Sequence, residues 1–455
     1  MSFKNLRRAM ALLLAVVMSF ALCACGKSEA AAPSTESPVV TTEPTPEPTP
    51  EPTPEPIVGE VLTDDDGDGI INYKFNYKGA TVYAMMVLDP SRIFIGTALP
   101  EPSDWGGYGL TLDAMAEQYG AVAGINAGGF WDNYGGGNGW PPSGITFSRG
   151  MTFDTMQYGP IAGINTDNEM WVGYYSYEEC VDLGIRDGVC FGPVLILNGE
   201  KTDPATLEAG IGARTAIGQR EDGTVVMMAV DGRQGYSIGL TFEDCIDIMA
   251  DKFGCINAAN MDGGNSTCMY FEGQAINRSA NQASTTRNLP DAWLVSAMSE
   301  GYVKPEGVAE YVVLPENPLG EVKEYAGEAD AEMSARIFDF TARFVEAYYG
   351  YFGSNYVDMY YPTLLQYVAE GSDLRNRMDL ALMDRVWVNT YRTAIENLVV
   401  NGVYDNGDGS YDIVITSDIH EFATYWTYDA LGTTLRITVV EAPDSIFGFL
   451  ATATY

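Results

Sequence analysis

Four short stretches of this 455-residue chain combine glycine with side chains that hold charge or move protons. They are Asn126-Ala-Gly-Gly-Phe130, Gly212-Ala-Arg214-Thr215-Ala-Ile-Gly218, Asp231-Gly-Arg233 and Asn260-Met-Asp262-Gly-Gly-Asn265-Ser266. Glycine lets backbone approach a ligand closely and can build a nest of N–H groups for an anion, while arginine offers a planar fork to phosphate. Taken singly, Asp-Gly is a common turn and an arginine ahead of a strand is usually a surface residue. Four such turns, each beside a strand that should be half-buried, are hard to explain as solvent-facing loops. The chemistry open to them is narrow. The only histidine, His420, lies far downstream and no Gly-x-Ser-x-Gly elbow occurs, which excludes a serine nucleophile with a histidine base here. P-loop and dinucleotide fingerprints are absent too. Proton transfer therefore falls to Asp or Glu, with arginine and backbone N–H groups holding charge.

The elements that position these turns can be read from the hydrophobic pattern. From Tyr73 to about Ser296 the chain is strand-rich ("ATVYAMMVLD", "SRIFIGTAL", "AVAGINA", "VLILNG", "TAIGQRE", "TVVMMAVDG", "TCMYFEG", "AWLVS") and punctuated by glycine turns. Two helices interrupt it, "TLDAMAEQYG" and "TFEDCIDIMADKFG". The second opens on a Thr241/Asp244 capping box and places Phe242, Cys245, Ile246, Met249 and Phe253 on one face. An α+β domain over 61–300 is the expectation. After a linker at 301–327, "EMSARIFDFTARFVEAYYGYF" carries Ile337, Phe340, Phe344, Ala347, Tyr348 and Tyr351 at helical spacing. A second helical stretch is expected from Pro362 to Trp387, and strands thereafter, with Asn-Gly-Asp-Gly at 406–409 as a hairpin turn. Helices followed by a meander resemble the small cone-shaped α+β domain of the NTF2-like superfamily, here over 328–455.

The order of the motifs carries a second resemblance. Asn126-Ala-Gly-Gly-Phe130, Phe191-Gly-Pro-Val-Leu-Ile-Leu-Asn-Gly199, Arg214-Thr-Ala-Ile-Gly218, Asp231-Gly-Arg233 and a helix, Asn260-x-Asp262-Gly-Gly-x-Ser266, then Asn277 and Arg287, resemble the phosphodiester glycosidase family over residues 75–296. The resemblance implies hydrolysis of the bond between a sugar's anomeric carbon and a phosphodiester, as in GlcNAc-1-phosphodiesters of glycans or cell-envelope polymers. A phosphomonoester is a good leaving group, so the site needs a carboxylate to activate water or stabilise an oxocarbenium-like centre, and arginines on the phosphate. On this basis Asp262 is expected as the central carboxylate with Asp231 as its partner. Arg214, Arg233 and Arg287 are expected to bind phosphate, and Asn126, Gly128, Gly129, Thr215, Asn260, Gly263, Gly264, Ser266 and Asn277 to complete the substrate site. The family usually has Asp-Gly-Gly-Gly-Ser; here the fourth position is Asn265, which is expected to adopt positive φ in place of glycine. A different class of function, a non-catalytic lipoprotein that holds a phosphosugar polymer in the same pocket, is the alternative.

Composition bounds the partners and the address. A net charge of −37 argues against nucleic acid and anionic membrane, both of which such a surface repels, so an anionic substrate needs a local clamp. Lys4, Arg7 and Arg8 precede an apolar run to about Ala24, the pattern of a signal peptide. Leu22-Cys23-Ala24-Cys25 resembles a bacterial lipobox, with Cys25 as the expected lipidation site, and Thr-Pro-Glu-Pro repeats over 26–60 form a spacer. These imply a protein at the bacterial cell surface, anchored by lipid alone or secreted. Cys180, Cys190, Cys245, Cys255 and Cys268 cannot all pair, and at most two disulfides are expected. No cofactor is required by any motif. Asp64, Asp66, Asp68 and Gly69 match the start of a calcium loop, though position twelve is Phe75 rather than glutamate, which leaves Ca²⁺ and a plain acidic turn as the two readings.

Overall fold

Val225–Val230 (VVMMAV) is apolar at every position and buried at every position. That pattern belongs to a strand covered on both faces, and the computed structural model places it so. The structure describes residues 59–101, 107–131, 138–207, 210–280, 287–316, 319, 323–382, 390–423 and 427–455. The signal peptide, Cys25 and nearly all of the spacer lie outside the described residues.

In chain order the elements that carry the site are β1 (Ile70–Tyr77), β2 (Ala80–Val87), β3 (Ile93–Thr97), α1 (Leu112–Tyr119), β4 (Ala121–Asn126), β5 (Val194–Leu197), β6 (Arg214–Arg220), β7 (Val225–Val230), α2 (Phe242–Asp247), β8 (Cys255–Met261), β9 (Met269–Phe271) and β10 (Asp291–Ser296). One antiparallel sheet runs Glu200–Lys201, β5, β8, β6, β7, β2, β1; a second runs Gln274–Ala275, β9, β4, β10, β3. Alternation along the strands sorts residues between two faces. Val82, Ala84 and Met86 pack with Cys245, Ile246, Met249 and Phe253 from α2 and the turn after it. Their neighbours Met85 and Val87 turn the other way, onto Ile95, Ile125, Trp293 and Val295 of the second sheet. That sheet's outer face, with Ala292, Leu294 and Tyr270, is covered by Leu112, Met115 and Ala116 of α1. The result is an α+β stack of helix, sheet, sheet, helix, with the two helices expected. A third, shorter helix, Tyr177–Asp182, is added by its own Ser176/Glu179 capping box.

Beyond residue 327 come α3 (Ala331–Phe352), α4 (Val357–Leu364), α5 (Asp373–Leu382), β11 (Thr390–Asp405), β12 (Ser410–Ala423), β13 (Thr427–Glu441) and β14 (Phe449–Thr454). Ile337, Phe340, Phe344 and Tyr348 of α3 pack on Ile413, Ile415, Ile437 and Phe449 of the antiparallel sheet β11-β12-β13-β14. The stretch expected as one helix from Pro362 is two. The first ends at Leu364, a short turn Leu365–Tyr367 leads to Val368, whose backbone is extended, and the Ser372 hydroxyl starts the next helix by accepting the Arg375 N–H at 3.2 Å. Within the segment read as a linker, Tyr311–Leu314 pairs with Glu60–Thr63 and buries Val312 and Leu314. The two parts also meet through Asp244 of α2, which accepts from Lys78 at 2.9 Å and from Arg377 of α5 at 2.7 Å. All five downstream cysteines are buried thiols, and among the described residues there is no disulfide.

Candidate active site

Antiparallel register explains why the four turns converge. Arg214, first in β6, lies opposite Val230, last in β7, and Thr215 lies opposite Met261, last in β8. Arg214, the Asp231–Arg233 turn and the Asp262 turn therefore leave one edge of the first sheet together. In the second sheet Asn126, last in β4, lies opposite Ala292 near the start of β10, which brings the Gly128-Gly129 turn and Arg287 to the same end. Backbone joins the two edges where Asp262 N donates to Ala127 O at 3.0 Å, and within the first sheet's edge Gly264 N donates to Ala213 O at 2.9 Å.

Between them is a cleft of about 480 Å³ lined by Gly129, Arg214, Arg233, Asn260, Asp262, Gly263, Gly264, Ser266 and Arg287 from the expected set. Phe130, Ser143, Phe191, Phe242 and Asn265 also line it. Its charged residues are three arginines and one aspartate, an excess of positive charge in a chain of net −37. This is the local clamp that the composition called for. Two arginines are seated on aromatic rings, Arg214 at 4.3 Å from the Phe242 centroid and Arg287 at 4.7 Å from that of Phe130. Arg214 Nε also donates to Leu240 O at 3.0 Å.

Arg233 is held differently. It adopts a left-handed φ of 61°, and Gly264, itself at φ 61°, lies against its guanidinium: a Cβ there would sit 3.1 Å from Arg233 Nη1. Positive φ in the Asp-Gly-Gly-Asn-Ser turn thus falls on Gly264 and not on Asn265. Asn265 sits in the turn Gly264–Ser266 with φ outside the left-handed region, so the departure from the family pattern needs no special backbone at that position. Asn260 Oδ1, Asn265 Oδ1 and Ser266 Oγ, all on residues of the cleft wall, are buried and have no hydrogen-bond partner among the described residues.

Four expected residues support the cleft from behind instead of lining it. Asn126 is fully buried; its Nδ2 donates to Asp262 O at 2.6 Å, and its Oδ1 accepts from Thr215 Oγ1 at 2.8 Å and Cys268 N at 3.1 Å. It fixes the backbone of Asp262, and Thr215 fixes it. Gly128 N donates to the buried carboxylate of Asp291 at 2.6 Å. Asn277 bridges Met269 N and Asp231.

Asp231 is the main correction. It is fully buried and does not line the cleft; its carboxylate accepts from Tyr236 Oη at 2.9 Å, Asn277 Nδ2 at 3.1 Å and Arg278 N at 2.9 Å. Burial pushes it up to about 6 against those donors. The carboxyl lies on the side of residues 276–278, where it anchors the Arg233 loop, and the structure does not bring it together with Asp262 in the cleft as expected.

Sequence reasoning missed Asp291. It stands at the start of β10, wholly buried behind Gly128, and burial, offset in part by the Gly128 N–H and reinforced by the charge of Asp262, pushes it up to about 7. The only signal was an acid heading an otherwise apolar strand, "DAWLVS". Away from the cleft, Asp64, Asp66 and Asp68 are gathered with carboxylate oxygens within 4.8 Å of one another. Asp64 accepts from Gly67 N and Gly69 N, and Asp68 from Ile70 N, which is the geometry of a self-capped acidic turn.

Comparison with known proteins matches this part of the chain. The family model for phosphodiester glycosidase covers residues 119–296, which contain every motif named above. An uncharacterized SPbeta prophage-derived protein, YomE, of Bacillus subtilis (strain 168) is 32% identical over 202 residues, 42% of this chain. The chain spans only 29% of that relative's length. Among solved structures, the zebrafish N-acetylglucosamine-1-phosphodiester alpha-N-acetylglucosaminidase catalytic domain, auto-inhibited by its pro-peptide, superposes with TM-score 0.43 at 17% identity, covering 53% of this chain and 88% of that one. A hypothetical protein from Synechocystis gives TM-score 0.41 at 16% identity over 52% of this chain and 64% of that one. Residues 119–296 thus match the family model for phosphodiester glycosidase, over the stretch that holds the cleft.

Proposed function

We propose that the protein hydrolyses the bond between a sugar's anomeric carbon and a phosphodiester, with GlcNAc-1-phosphodiester-like groups of glycans or cell-envelope polymers as the substrate class. The observation that carries this is the convergence of Arg214, Arg233 and Arg287 on a cleft where Asp262 is the one acid among the described residues. Three guanidiniums suit the two charged oxygens of a phosphodiester and the extra charge that grows on the phosphate as it leaves. Asp262 acts on C1, either taking the proton of the attacking water or forming and then releasing a glycosyl ester. In both routes the C1–O bond breaks, water supplies the new hydroxyl, and a phosphomonoester departs. Leaving-group chemistry of this kind needs little acid assistance.

The test is release of free GlcNAc from a nitrophenyl-type GlcNAc-1-phosphodiester by the purified protein, with Asp262→Asn alongside. Turnover by the wild type and none by the folded variant is the expected result. Tight binding of the phosphodiester by wild type without turnover overturns hydrolysis in favour of phosphosugar holding, and near wild-type turnover by Asp262→Asn removes Asp262 from the centre.

A further inference from the structure

We propose that Glu421, in the carboxy-terminal sheet, is a positioning residue for the cleft: it holds the loop that carries Arg233 and so makes β12 part of the phosphate-binding machinery. This rests on the reading of Arg233 as a phosphate ligand.

The loop from Asp231 to Ser237 needs holding. Arg233 is a non-glycine residue in left-handed conformation, which is unfavourable for an L side chain and persists only where the surroundings over-determine it. On the near side of Arg233, Asp231 is fixed by its three donors. On the far side, Gln234 and Ser237 bond each other's backbone, Gln234 Nε2 donates to Arg278 O at 3.2 Å, and Gly235 N donates to Glu421 Oε1. The other Glu421 oxygen, Oε2, accepts from Arg278 Nη1 at 2.9 Å. Arg278 in turn gives its backbone N–H to Asp231 and lays its guanidinium 3.6 Å from the ring centroid of Tyr428 on β13. One carboxylate therefore grips the Arg233 loop with one oxygen and, with the other, the arginine that anchors the loop's start.

The grip reaches the rest of the cleft as well. Asn277, next to Arg278, accepts from Met269 N, and Ser279 Oγ donates to Asn265 O at 2.9 Å in the Asp262 turn. Glu421 itself is fully buried near the end of β12, where an unpaired charge is strongly unfavourable. An apolar residue would fill such a site without that cost, so what the carboxylate adds is the fixed position of its two donors. Space is set for it too: a Cβ on Gly235 would lie 3.2 Å from Glu421 Oε1 and 3.4 Å from Gly353 Cα of the carboxy-terminal part.

The test is a cycle of four proteins, wild type, Glu421→Gln, Arg233→Lys and the double variant, each assayed on the nitrophenyl-type GlcNAc-1-phosphodiester and each melted. Glu421→Gln keeps an acceptor for Gly235 and removes the ion pair. A shift of the Arg233 loop should raise KM roughly tenfold with kcat little changed. In the Arg233→Lys background the same substitution should add almost nothing, because the group being positioned is gone. Multiplying effects, or a lower melting temperature with KM intact, overturn the proposal. Should Glu421→Gln not fold, Glu421→Asp keeps the charge but is one methylene too short to reach both partners, and the same KM rise is required of it. If wild type hydrolyses nothing, it is the proposed function that fails. The cycle is then read from calorimetric binding of GlcNAc-1-phosphate, where affinity must fall in Glu421→Gln and not fall further in the double variant.

Discussion

Asp291→Asn separates burial of a charge from packing, because the two side chains have nearly the same shape. The carboxyl's ordinary value of 3.8 is pushed up to about 7, first by burial and further by the charge of Asp262, against one hydrogen bond from Gly128 N. At about 1.4 kcal/mol per pH unit, ionising it in the folded protein costs up to about 4 kcal/mol relative to the unfolded chain. The sign follows from the folded value being the higher one. The protonated acid's contribution is complete below pH 3.8, declines as pH rises, and is gone above about 7. The asparagine keeps an oxygen for Gly128 and puts a donor where Asp291 Oδ2 has no partner, as the protonated acid also does. The variant should therefore match wild type at pH 4 and exceed it by up to about 4 kcal/mol at pH 8. Urea unfolding of both proteins from pH 4 to pH 8, with equal m-values, measures this difference. Other acids titrate in the same window but cancel between the two proteins. A stability difference that does not change with pH refutes the assignment of a buried, hard-to-ionise acid.

Three further outcomes follow from the geometry. Arg377→Met should destabilise by roughly 3–5 kcal/mol at neutral pH, since it strips a partner from buried Asp244; chemical denaturation checks it. Asp244 is held down to about 2 from 3.8, chiefly by Arg377 and then Lys78 in opposition to burial, so its contribution is present above pH 3.8 and lost as pH falls toward 2; the gap between Arg377→Met and wild type should narrow across that window. Gly264→Ala should lose about 1 kcal/mol or more from its positive φ and, by pressing on Arg233, raise KM for the phosphodiester; unfolding and steady-state kinetics read the two effects separately.

Much of the fold could be read from period and punctuation. Residues 80–87, 121–126, 225–230 and 291–296 are strands because unbroken apolar runs bounded by glycine, aspartate or proline can bury both faces. The capping boxes at Thr241 and Ser176 are both local signals, yet only the first stood before a long amphipathic run and was picked out. Where one helix was expected from Pro362, the break comes at Val368, which is extended and bridges to Ala451 of β14, a long-range pairing that no local pattern announces.

The site was legible as a set of turns, and less so as a set of roles. Asp231 and Asp262 each follow a strand and precede a glycine, Asp291 heads a strand after Pro290, and no spacing rule assigns their roles. What separates them is direction and the donors already spent on each. Asp262 follows β8 into the cleft with its backbone held by Asn126. Asp231 follows β7, faces the other way, and has its carboxylate taken by Tyr236, Asn277 and Arg278. Asp291 begins β10 and meets Gly128 from inside the second sheet. Sheet register decides each case, through partners tens to hundreds of residues away in sequence, and Glu421 is the extreme example: the residue that grips the Arg233 loop comes 188 positions later, in the part of the chain that carries no motif at all.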